Sequence, residues 1–221
     1  MPTYLLTNRG TPKDKTLEGA RKTHNQTSAS GQAVARSFGD LTHTVYVPVE
    51  GFGTTTNELD LLLVDVWNSV EGLNRFFAKL RGNEQVSPIF ARNDPAVWSP
   101  AEGFDSYHFQ APYGKNERIL GLVRGVVRSR ADAQAMHNDF MEDNVGKARL
   151  TGILSHEAYV AFTPPGRPES LELLALDVWM DVSLTAAYYQ DAEWRDVFQK
   201  IFVEPPSVST WIHPVGDWAE W

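Results

Sequence analysis

Short apolar runs of strand length alternate along the chain with longer stretches of helical spacing. "TYLLTNR" (3–9) and "RILGLVRGVV" (118–127) are apolar runs of the length that strands have. The stretches 13–30 and 130–145 are polar and carry apolar or small residues at helical intervals. The pattern predicts a strand followed by a helix, and it predicts this pair of elements twice.

Two further strands and a helix follow each predicted helix. "LTHTVYVPV" (41–49) and "LSHEAYVAF" (154–162) are rich in β-branched and aromatic residues, which favour strands. "LDLLLVDVW" (59–67) and "LELLALDVW" (171–179) are apolar on both faces, which is typical of central, covered strands. With the segments that come after them, each copy has the order βαββαβ of the ferredoxin-like split βαβ fold.

The two halves of the chain align with each other. The stretch 24–47 matches 137–160 without a gap, and each begins with His-Asn and carries a second histidine further on. We therefore expect an α+β protein made of two tandem ferredoxin-like repeats, 1–113 and 114–221, the second with a tryptophan-rich tail. One repeat leaves an apolar sheet face bare, so the two antiparallel sheets are expected to pack face to face as a fused, pseudo-dimeric α/β-barrel.

Composition narrows the class of partner. The formal net charge is −8 and no run of Lys or Arg appears, so neither nucleic acid nor a membrane is an expected partner. The absence of cysteine excludes disulfides and cysteine nucleophiles and fits a cytoplasmic location. The apolar runs are far shorter than the roughly 20 residues that span a bilayer, and the N-terminus lacks the pattern of a secretory signal. A soluble cytoplasmic protein is expected, and a homodimer of the fused chain is left open.

Each copy carries two histidines at a fixed spacing. His24 and His43 are nineteen residues apart, and so are His137 and His156. The first histidine of each pair lies late in the first helix and the second opens the second strand. Because this helix packs across the sheet, both imidazoles of a pair are expected to reach the same cleft.

This arrangement resembles the EthD branch of the dimeric α/β-barrel superfamily. The resemblance rests on the helix histidine, the Gly-x-Leu-like stretch and the strand-opening histidine, and it covers both halves. The chain departs from the family at Gln26 and Asp139, where a proline is common. Similar domains include cofactor-free oxygenases, isomerases, decarboxylases, dehydratases and haem proteins, among which the fold alone does not choose.

Histidine general acid–base chemistry is the reaction class that the pattern predicts. An imidazole near its ordinary pKa takes or gives a proton at neutral pH, and two close together divide the acid and base roles. We expect an enzyme that acts on an aromatic or polyketide-like carbonyl compound by elimination, isomerisation or decarboxylation, without an organic cofactor. The predicted catalytic residues are His24, His43, His137, His156 and Asp177.

The residues expected around the histidines would bind the substrate. Arg9 and Arg124, on the first strand of each copy, are placed to bind an oxyanion or a carboxylate. Asp177 and its counterpart Asp65 share a strand face with a tryptophan and are placed to orient a histidine. The other predicted substrate-binding residues are Asn138, Trp67, Trp179, Tyr188, Tyr189, Trp211 and His213. Because the tyrosines and His213 belong to the second copy, its pocket is the preferred one, although the tryptophans also suit a packed core.

Several alternatives stay open at the level of sequence. A cofactor-free or haem-dependent oxygenase of the same superfamily is one, and a non-catalytic binding protein for a hydrophobic small molecule is another. Two histidines and an aspartate are compatible with a divalent metal, and a histidine with axial ligation of haem. No HxH, HExxH or glycine-rich nucleotide motif appears, so neither a metal nor a nucleotide is the expected cofactor.

Overall fold

The order βαββαβ recurs in the computed structural model, which describes residues 3–53, 57–81, 88–110 and 118–221. Its helices are α1 (Leu17–Ser37), α2 (Val70–Arg81), α3 (Arg130–Leu150), α4 (Val182–Tyr189) and α5 (Ala192–Ile201). Its strands are β1 (Tyr4–Pro12), β2 (Asp40–Gly53), β3 (Leu61–Trp67), β4 (Phe90–Pro100), β5 (Tyr107–His108), β6 (Ile119–Val126), β7 (Ile153–Ala161), β8 (Glu172–Trp179) and β9 (Ser207–Ile212). The fold is α+β, as predicted.

The chain forms two compact units that are not simple halves. The first unit comprises Met1–Pro48, Thr56–Ser99 and His213–Trp221. The second comprises Val49–Thr55 and Pro100–Ile212. The predicted boundary between residues 113 and 114 lies outside the described residues. Within the described chain, the last residues of each predicted repeat belong to the unit that contains most of the other repeat.

The first unit has an antiparallel sheet in the order β4-β1-β3-β2. Strand β3 lies between β1 and β2, and its register places Asp65 opposite both Leu6 and His43. Leu61, Leu63, Asp65 and Trp67 alternate along one face of β3 and are all buried. An aspartate therefore takes a place in a row that is otherwise apolar.

The second unit repeats this sheet in the order β9-β6-β8-β7-β5. Strand β8 lies between β6 and β7, and its register places Asp177 opposite both Gly121 and His156. The short strand β5 pairs with β7, so that Tyr107 stands opposite His156. Asp177 and His156 thus occupy the strand positions that Asp65 and His43 occupy in the first unit.

The long helices place one histidine each on the face that packs against the sheet. Thr16 and Ser129 cap the starts of α1 and α3 by accepting hydrogen bonds from backbone N–H groups. The buried face of α1 carries Ala20 and His24 one turn apart, and that of α3 carries Ala133 and His137 at the same spacing. A residue four positions after a buried alanine faces the same way on a helix, so both histidines point at the sheet.

The elements differ from the predictions mainly at their ends. Helix α1 continues to Ser37, well past the predicted end at residue 30. The last predicted helix is divided into α4 and α5, because Asp191 starts a new helix by accepting from the N–H of Glu193. In the part of the chain that is described, no helix is long and apolar enough to cross a membrane.

Candidate functional site

Four side chains of the first unit form a continuous hydrogen-bonded chain from helix to sheet. Nε2 of His24 on α1 is 2.9 Å from Nε2 of His43 on β2. Nδ1 of His43 makes a short hydrogen bond to Asp65 on β3, and Nδ1 of His24 is 3.1 Å from Oδ1 of Asn25. We call Asn25, His24, His43 and Asp65 the first relay. The prediction that helix and strand histidines meet between helix and sheet is confirmed by this geometry.

The second unit contains the same chain of four side chains. Nε2 of His137 is 2.8 Å from Nε2 of His156, and Nδ1 of His156 is 2.6 Å from Oδ1 of Asp177. Nδ1 of His137 is 3.0 Å from Oδ1 of Asn138. We call Asn138, His137, His156 and Asp177 the second relay. The two distances between histidine nitrogens differ by little, so the relays are near copies in geometry as well as in sequence.

Aromatic rings cover both relays. In the first unit Trp221 stacks on His43 with ring centres 4.5 Å apart, and Trp218 lies 5.3 Å from His24. The backbone of Trp221 also pairs with that of His43. We call Trp218 and Trp221 the first aromatic cap. It comes from the tail of the chain, far from His24 and His43 in sequence.

A second aromatic cap, Phe104 and Tyr107, covers the second relay. Tyr107 stacks on His156 at 5.6 Å, and Phe104 lies 5.1 Å from His137. The place of each ring matches that of a tryptophan in the first cap. Planar aromatic groups of the protein therefore lie against the imidazoles in both units.

Burial sets the charge of the helix histidines. It lowers the pKa of His24 to about 4, an effect that the neighbouring His43 reinforces. It also lowers the pKa of His137 to about 4, and there His156 reinforces it. Burial alone would lower the pKa of His43 too, but the hydrogen bond and charge of Asp65 raise it overall. At neutral pH the helix histidines are neutral, and in the first relay the positive charge belongs beside the aspartate.

The two relays differ around the aspartate. Tyr189 donates a short hydrogen bond to Asp177, and its hydroxyl fits because residue 121 is glycine: a Cβ there would lie 2.3 Å from that oxygen. In the first unit Leu6 takes the corresponding position opposite Asp65. The tyrosine was predicted to line a substrate pocket, and the structure places it behind the aspartate instead.

A second carboxyl group, that of Asp40, lies near the first relay. Asp40 is buried, and burial followed by the charge of Asp65 raises its pKa to about 7. Its Oδ2 accepts a hydrogen bond from Nε1 of Trp221 at 3.2 Å, which ties the first cap to β2. Strand pairing with Trp67 and Trp179 makes Ile153 the counterpart of Asp40 in the second unit.

Several residues predicted to bind substrate lie elsewhere. Arg9 pairs with Asp60 at 3.4 Å, and Arg124 pairs with Glu172 at 2.6 Å. Neither ion pair involves a relay residue, because both arginines stand near strand ends. The other residues of this group are buried in hydrophobic clusters or in strand β9: Trp67, Trp179, Tyr188 and Trp211.

His213 and Asn138 also have places that the sequence did not suggest. His213 belongs to the first unit, where its Nε2 is 2.7 Å from Glu220 and its ring stands edge-on to Tyr46. Both of these partners, Glu220 and Tyr46, belong to the first unit as well. Asn138 ends the second relay and is bound to backbone groups on its other side.

Asn25 and the two aromatic caps are the residues that sequence reasoning missed. The repeated His-Asn pair was a visible signal for Asn25 and Asn138, because the asparagine is retained wherever the helix histidine is. Phe104, Tyr107, Trp218 and Trp221 gave only a general signal, as aromatic residues in the two tails. Their positions depend on tertiary contacts that spacing does not reveal.

The relays do not suit a haem or a metal ion as arranged. Both ring nitrogens of all four histidines already have hydrogen-bond partners, which leaves no nitrogen for axial ligation of haem. Among the described residues, no group of three or more His, Asp or Glu is arranged to hold a metal ion. The chemistry that this arrangement supports is movement of protons between its own nitrogens and oxygens.

Comparison with known proteins identifies the fold. No protein-family model matches the chain, and no curated protein matches it. An anthrone oxidase-like protein is 13% identical, with a TM-score of 0.65 over 97% of this chain and 92% of its own. A monooxygenase-like protein from Lactobacillus acidophilus is 10% identical, with a TM-score of 0.54 over 96% and 93%. A chlorite dismutase variant from Candidatus Nitrospira defluvii is 12% identical, with a TM-score of 0.53 over 96% and 92%.

These three proteins share the fold of this chain over nearly its whole length. At such low identity the likeness shows the fold alone. The predicted α+β class with antiparallel pairing is confirmed, whereas the fused, face-to-face barrel stays a prediction. The EthD-like branch stays a prediction, since no family model matches.

Proposed function

We propose that the protein is an oxygenase or oxidase that acts on an aromatic or polyketide-like carbonyl compound, with the histidine relays as its acid–base groups. The observation that carries this proposal is the repeated Asp–His–His–Asn chain beneath an aromatic cap. Two hydrogen-bonded imidazoles beside a buried carboxylate accept and return a proton at neutral pH. The names of the structural neighbours, an anthrone oxidase-like and a monooxygenase-like protein, support the choice of oxygen as the second reactant.

The proposed reaction balances with dioxygen alone. A relay takes one proton from a CH₂ group that lies between aromatic or carbonyl groups, which leaves a carbanion. The carbanion gives its electrons to O₂, a C–O bond forms, and the relay returns a proton to the peroxide. Loss of water then converts CH₂ and O₂ into C=O and H₂O. No organic cofactor, haem or metal takes part in these steps.

Elimination, isomerisation and decarboxylation, which the sequence favoured, would use the same relays. Each also begins with proton transfer to or from a carbon or oxygen beside a carbonyl group. The oxidase-like and monooxygenase-like neighbours make the oxygenase the better supported choice. A product analysis without oxygen separates the two, because elimination and isomerisation proceed in its absence.

The origin and setting of the protein belong to the same proposal. We infer that the chain arose by fusion of two ferredoxin-like domains, with repeats 1–113 and 114–221 and a pseudo-dimeric barrel. The first support is the aligned sequence of the two halves, and the second is the near identity of the two relays. We propose a cytoplasmic location and no nucleic-acid or membrane partner on the grounds of composition, and a small aromatic substrate on the grounds of the aromatic residues around the histidines. A homodimer is left open.

Oxygen uptake with a panel of anthrones, quinols and phenolic ketones tests the proposal. The double variant His43→Gln/His156→Gln removes both relays, and we expect it to lower turnover by about 100-fold or more. His108→Gln is the matched control, because His108 is exposed and bonded only at 3.3 Å to Glu157 among the contacts described. We expect the control to keep its activity within about twofold. Equal activity of the double variant and the control would overturn the proposal.

A binding protein is the second candidate, and one observation favours it. Every imidazole nitrogen of the relays has a hydrogen-bond partner, and an aromatic ring packs on every imidazole. A site of this kind holds aromatic groups in place, as a binding protein does. If the wild type binds members of the panel but neither consumes oxygen nor changes them, this second function replaces the first.

A further inference from the structure

Backbone groups fix the orientation of the amide at the outer end of the first relay. Nδ2 of Asn25 donates to the carbonyl oxygen of Asp217 at 2.8 Å, and its Oδ1 accepts from the N–H of Ala219 at 2.8 Å. A backbone carbonyl only accepts and a backbone N–H only donates. The amide oxygen of Asn25, and not its nitrogen, therefore faces His24.

The second relay has its amide fixed in the same way. Nδ2 of Asn138 donates to the carbonyl oxygen of Gly103 at 2.8 Å, and its Oδ1 accepts from the N–H of Asp105 at 2.9 Å. The oxygen again faces the helix histidine, His137. Two independent sets of backbone bonds thus give the same orientation.

An amide oxygen in this position fixes a proton on the helix histidine. Because Oδ1 of Asn25 cannot donate, Nδ1 of His24 carries the proton of their hydrogen bond. Burial keeps His24 neutral by lowering its pKa to about 4, so its Nε2 carries a lone pair; Oγ of Ser28 also lies 3.3 Å from this nitrogen. The Nε2 of His43 must then be the donor in the bond between the two rings.

A third proton lies at the inner end of the relay. Nδ1 of His43 and Asp65 share a hydrogen bond, so one of them carries its proton. The two rings and the carboxylate therefore hold three protons in all, whether Nδ1 of His43 or Asp65 carries the third. Besides Asp65, the carboxylates of Asp40 and Glu220 act on His43 and raise its pKa, although burial opposes them.

We propose that both relays are seen in the form that follows proton uptake, and that the atom which takes the proton is Nδ1 of the helix histidine. Before uptake, Nδ1 of His24 is bare and its Nε2 donates to His43. Uptake at Nδ1 sends the Nε2 proton on to His43, beside Asp65, and no electrons move. Asn25 and Asn138 are positioning residues that hold the transferred proton. The meaning of uptake rests on the proposed function, whereas the proton positions do not.

A surface cavity lies outside the first relay and reaches its asparagine, whereas His24 itself is buried. A surface cavity of about 630 Å³ at the start of α1 reaches Asn25 and is also lined by Arg21, Lys22, Gln26 and Asp217. Its lining carries two basic residues, Arg21 and Lys22, and two acidic ones, Glu18 and Asp217. The counterpart of Arg21 in the second unit is Gln134, which donates to the carbonyl oxygen of Gly103 at 2.9 Å beside Asn138.

Nitrogen–proton correlation spectra of protein labelled with ¹⁵N-histidine test the proton positions directly. In the wild type we expect His24 and His137 each to show a protonated Nδ1 and a bare Nε2. We expect His43 to show a protonated Nε2. A bare Nδ1 in His24 or His137 would overturn the inference.

Three variants test the positioning role of the asparagines. In Asn25→Ala the bare nitrogen of His24 should move from Nε2 to Nδ1, while the signals of His137 stay unchanged; Asn138→Ala should do the reverse. Asn25→Asp keeps an oxygen acceptor, so His24 should keep the wild-type pattern. If Asn25→Ala folds and the signals of His24 are unchanged, the positioning role is contradicted. If Asn25→Ala does not fold, Asn138→Ala decides, and unchanged signals of His137 in that variant contradict the role.

The spectra and the activity assay fail separately. An inactive protein with the expected proton positions would overturn the proposed function alone. An active protein in which Nδ1 of the helix histidines is bare would overturn this inference alone.

Discussion

Two adjacent tyrosines of α4 have opposite surroundings, which gives a test at the scale of single residues. The hydroxyl of Tyr189 donates to Asp177, whereas that of Tyr188 is buried and makes no hydrogen bond within the described part of the chain. Tyr189→Phe leaves a buried carboxylate with one donor fewer, and we expect the free energy of unfolding to fall by about 1–3 kcal/mol. Tyr188→Phe should change it by less than about 0.5 kcal/mol. Urea unfolding of both variants measures the difference, and equal losses would refute it.

The raised pKa of Asp40 makes stability depend on pH. Burial lifts this pKa from an ordinary 3.8 to about 7. Between pH 4 and 7 the folded protein therefore keeps a proton that the unfolded chain has already released. Stability contributed by this group therefore falls as the pH rises through that window. Asp40→Asn removes the effect and keeps an oxygen for Trp221.

The variant should match the wild type near pH 4 and exceed it by about 3 kcal/mol near pH 8. Unfolding by urea at several pH values measures this gain. Asp139→Asn, at an exposed aspartate of α3, is the control and should show no such trend. A constant difference between Asp40→Asn and wild type across the range would contradict the assignment.

Single residues show where sequence reasoning works and where it stops. The spacing of His24 and His43 predicted that these two histidines share a site, and the alternation of β3 predicted that Asp65 orients a histidine, which is His43 in the structure. The role of Asn25 was out of reach, because its amide is oriented by backbone groups 192 and 194 positions away. The burial of Asp40 was equally hidden, since its counterpart in the aligned half is Ile153.

At the scale of elements, α1 and α3 end in the same conformation with different neighbours. Gly39 and Gly152 have φ values of +102° and +90°, which L side chains rarely adopt. A Cβ at Gly39 would also lie 2.0 Å from Oδ1 of Asn68, whereas one at Gly152 would lie 3.0 Å from the flexible Leu184. The shared conformation predicts a shared cost for alanine, and the neighbours predict unequal totals.

We expect Gly152→Ala to lower the free energy of unfolding by about 1–2 kcal/mol and Gly39→Ala to lower it by about 1 kcal/mol more. Gly146→Ala is the control, since Gly146 lies inside α3 with open space around it. Its replacement should stabilise the protein by up to about 1 kcal/mol. Urea unfolding compares the three, and a larger loss for Gly152→Ala than for Gly39→Ala would be evidence against the contact with Asn68.

Element order was easier to predict than element partners. Apolar periodicity gave the βαββαβ order because it reports burial along a strand or helix. It gave no sign that β5 is only two residues long and lies against β7, since two residues have no periodicity. It also joined α4 and α5, because both carry apolar residues and only Asp191 marks the break.

At the scale of the whole molecule, the tails decide which residues surround each relay. His213 follows the second repeat in sequence and was predicted to serve the second pocket, yet His213–Trp221 belongs to the first unit. Repeat alignment compares equivalent positions and is blind to such assignments. Within the first unit, His213 contacts Glu220 and Tyr46, and a surface cavity lies beside Asn25.

The two relays offer a comparison within one molecule, because the same substitution can be made in each. His24→Gln removes the outer base next to the open cavity, and His137→Gln removes it where Gln134 bonds beside Asn138. If the cavity is the route by which substrate reaches Nδ1, we expect His24→Gln to lower oxygen uptake by about 100-fold. His137→Gln should lower it by less than about threefold, and the double variant should resemble His24→Gln.

Both histidines are buried, so urea unfolding must show similar stability before rates are compared. Equal losses from the two single variants would mean that both units turn over substrate, and a larger loss from His137→Gln would place the active site in the second unit.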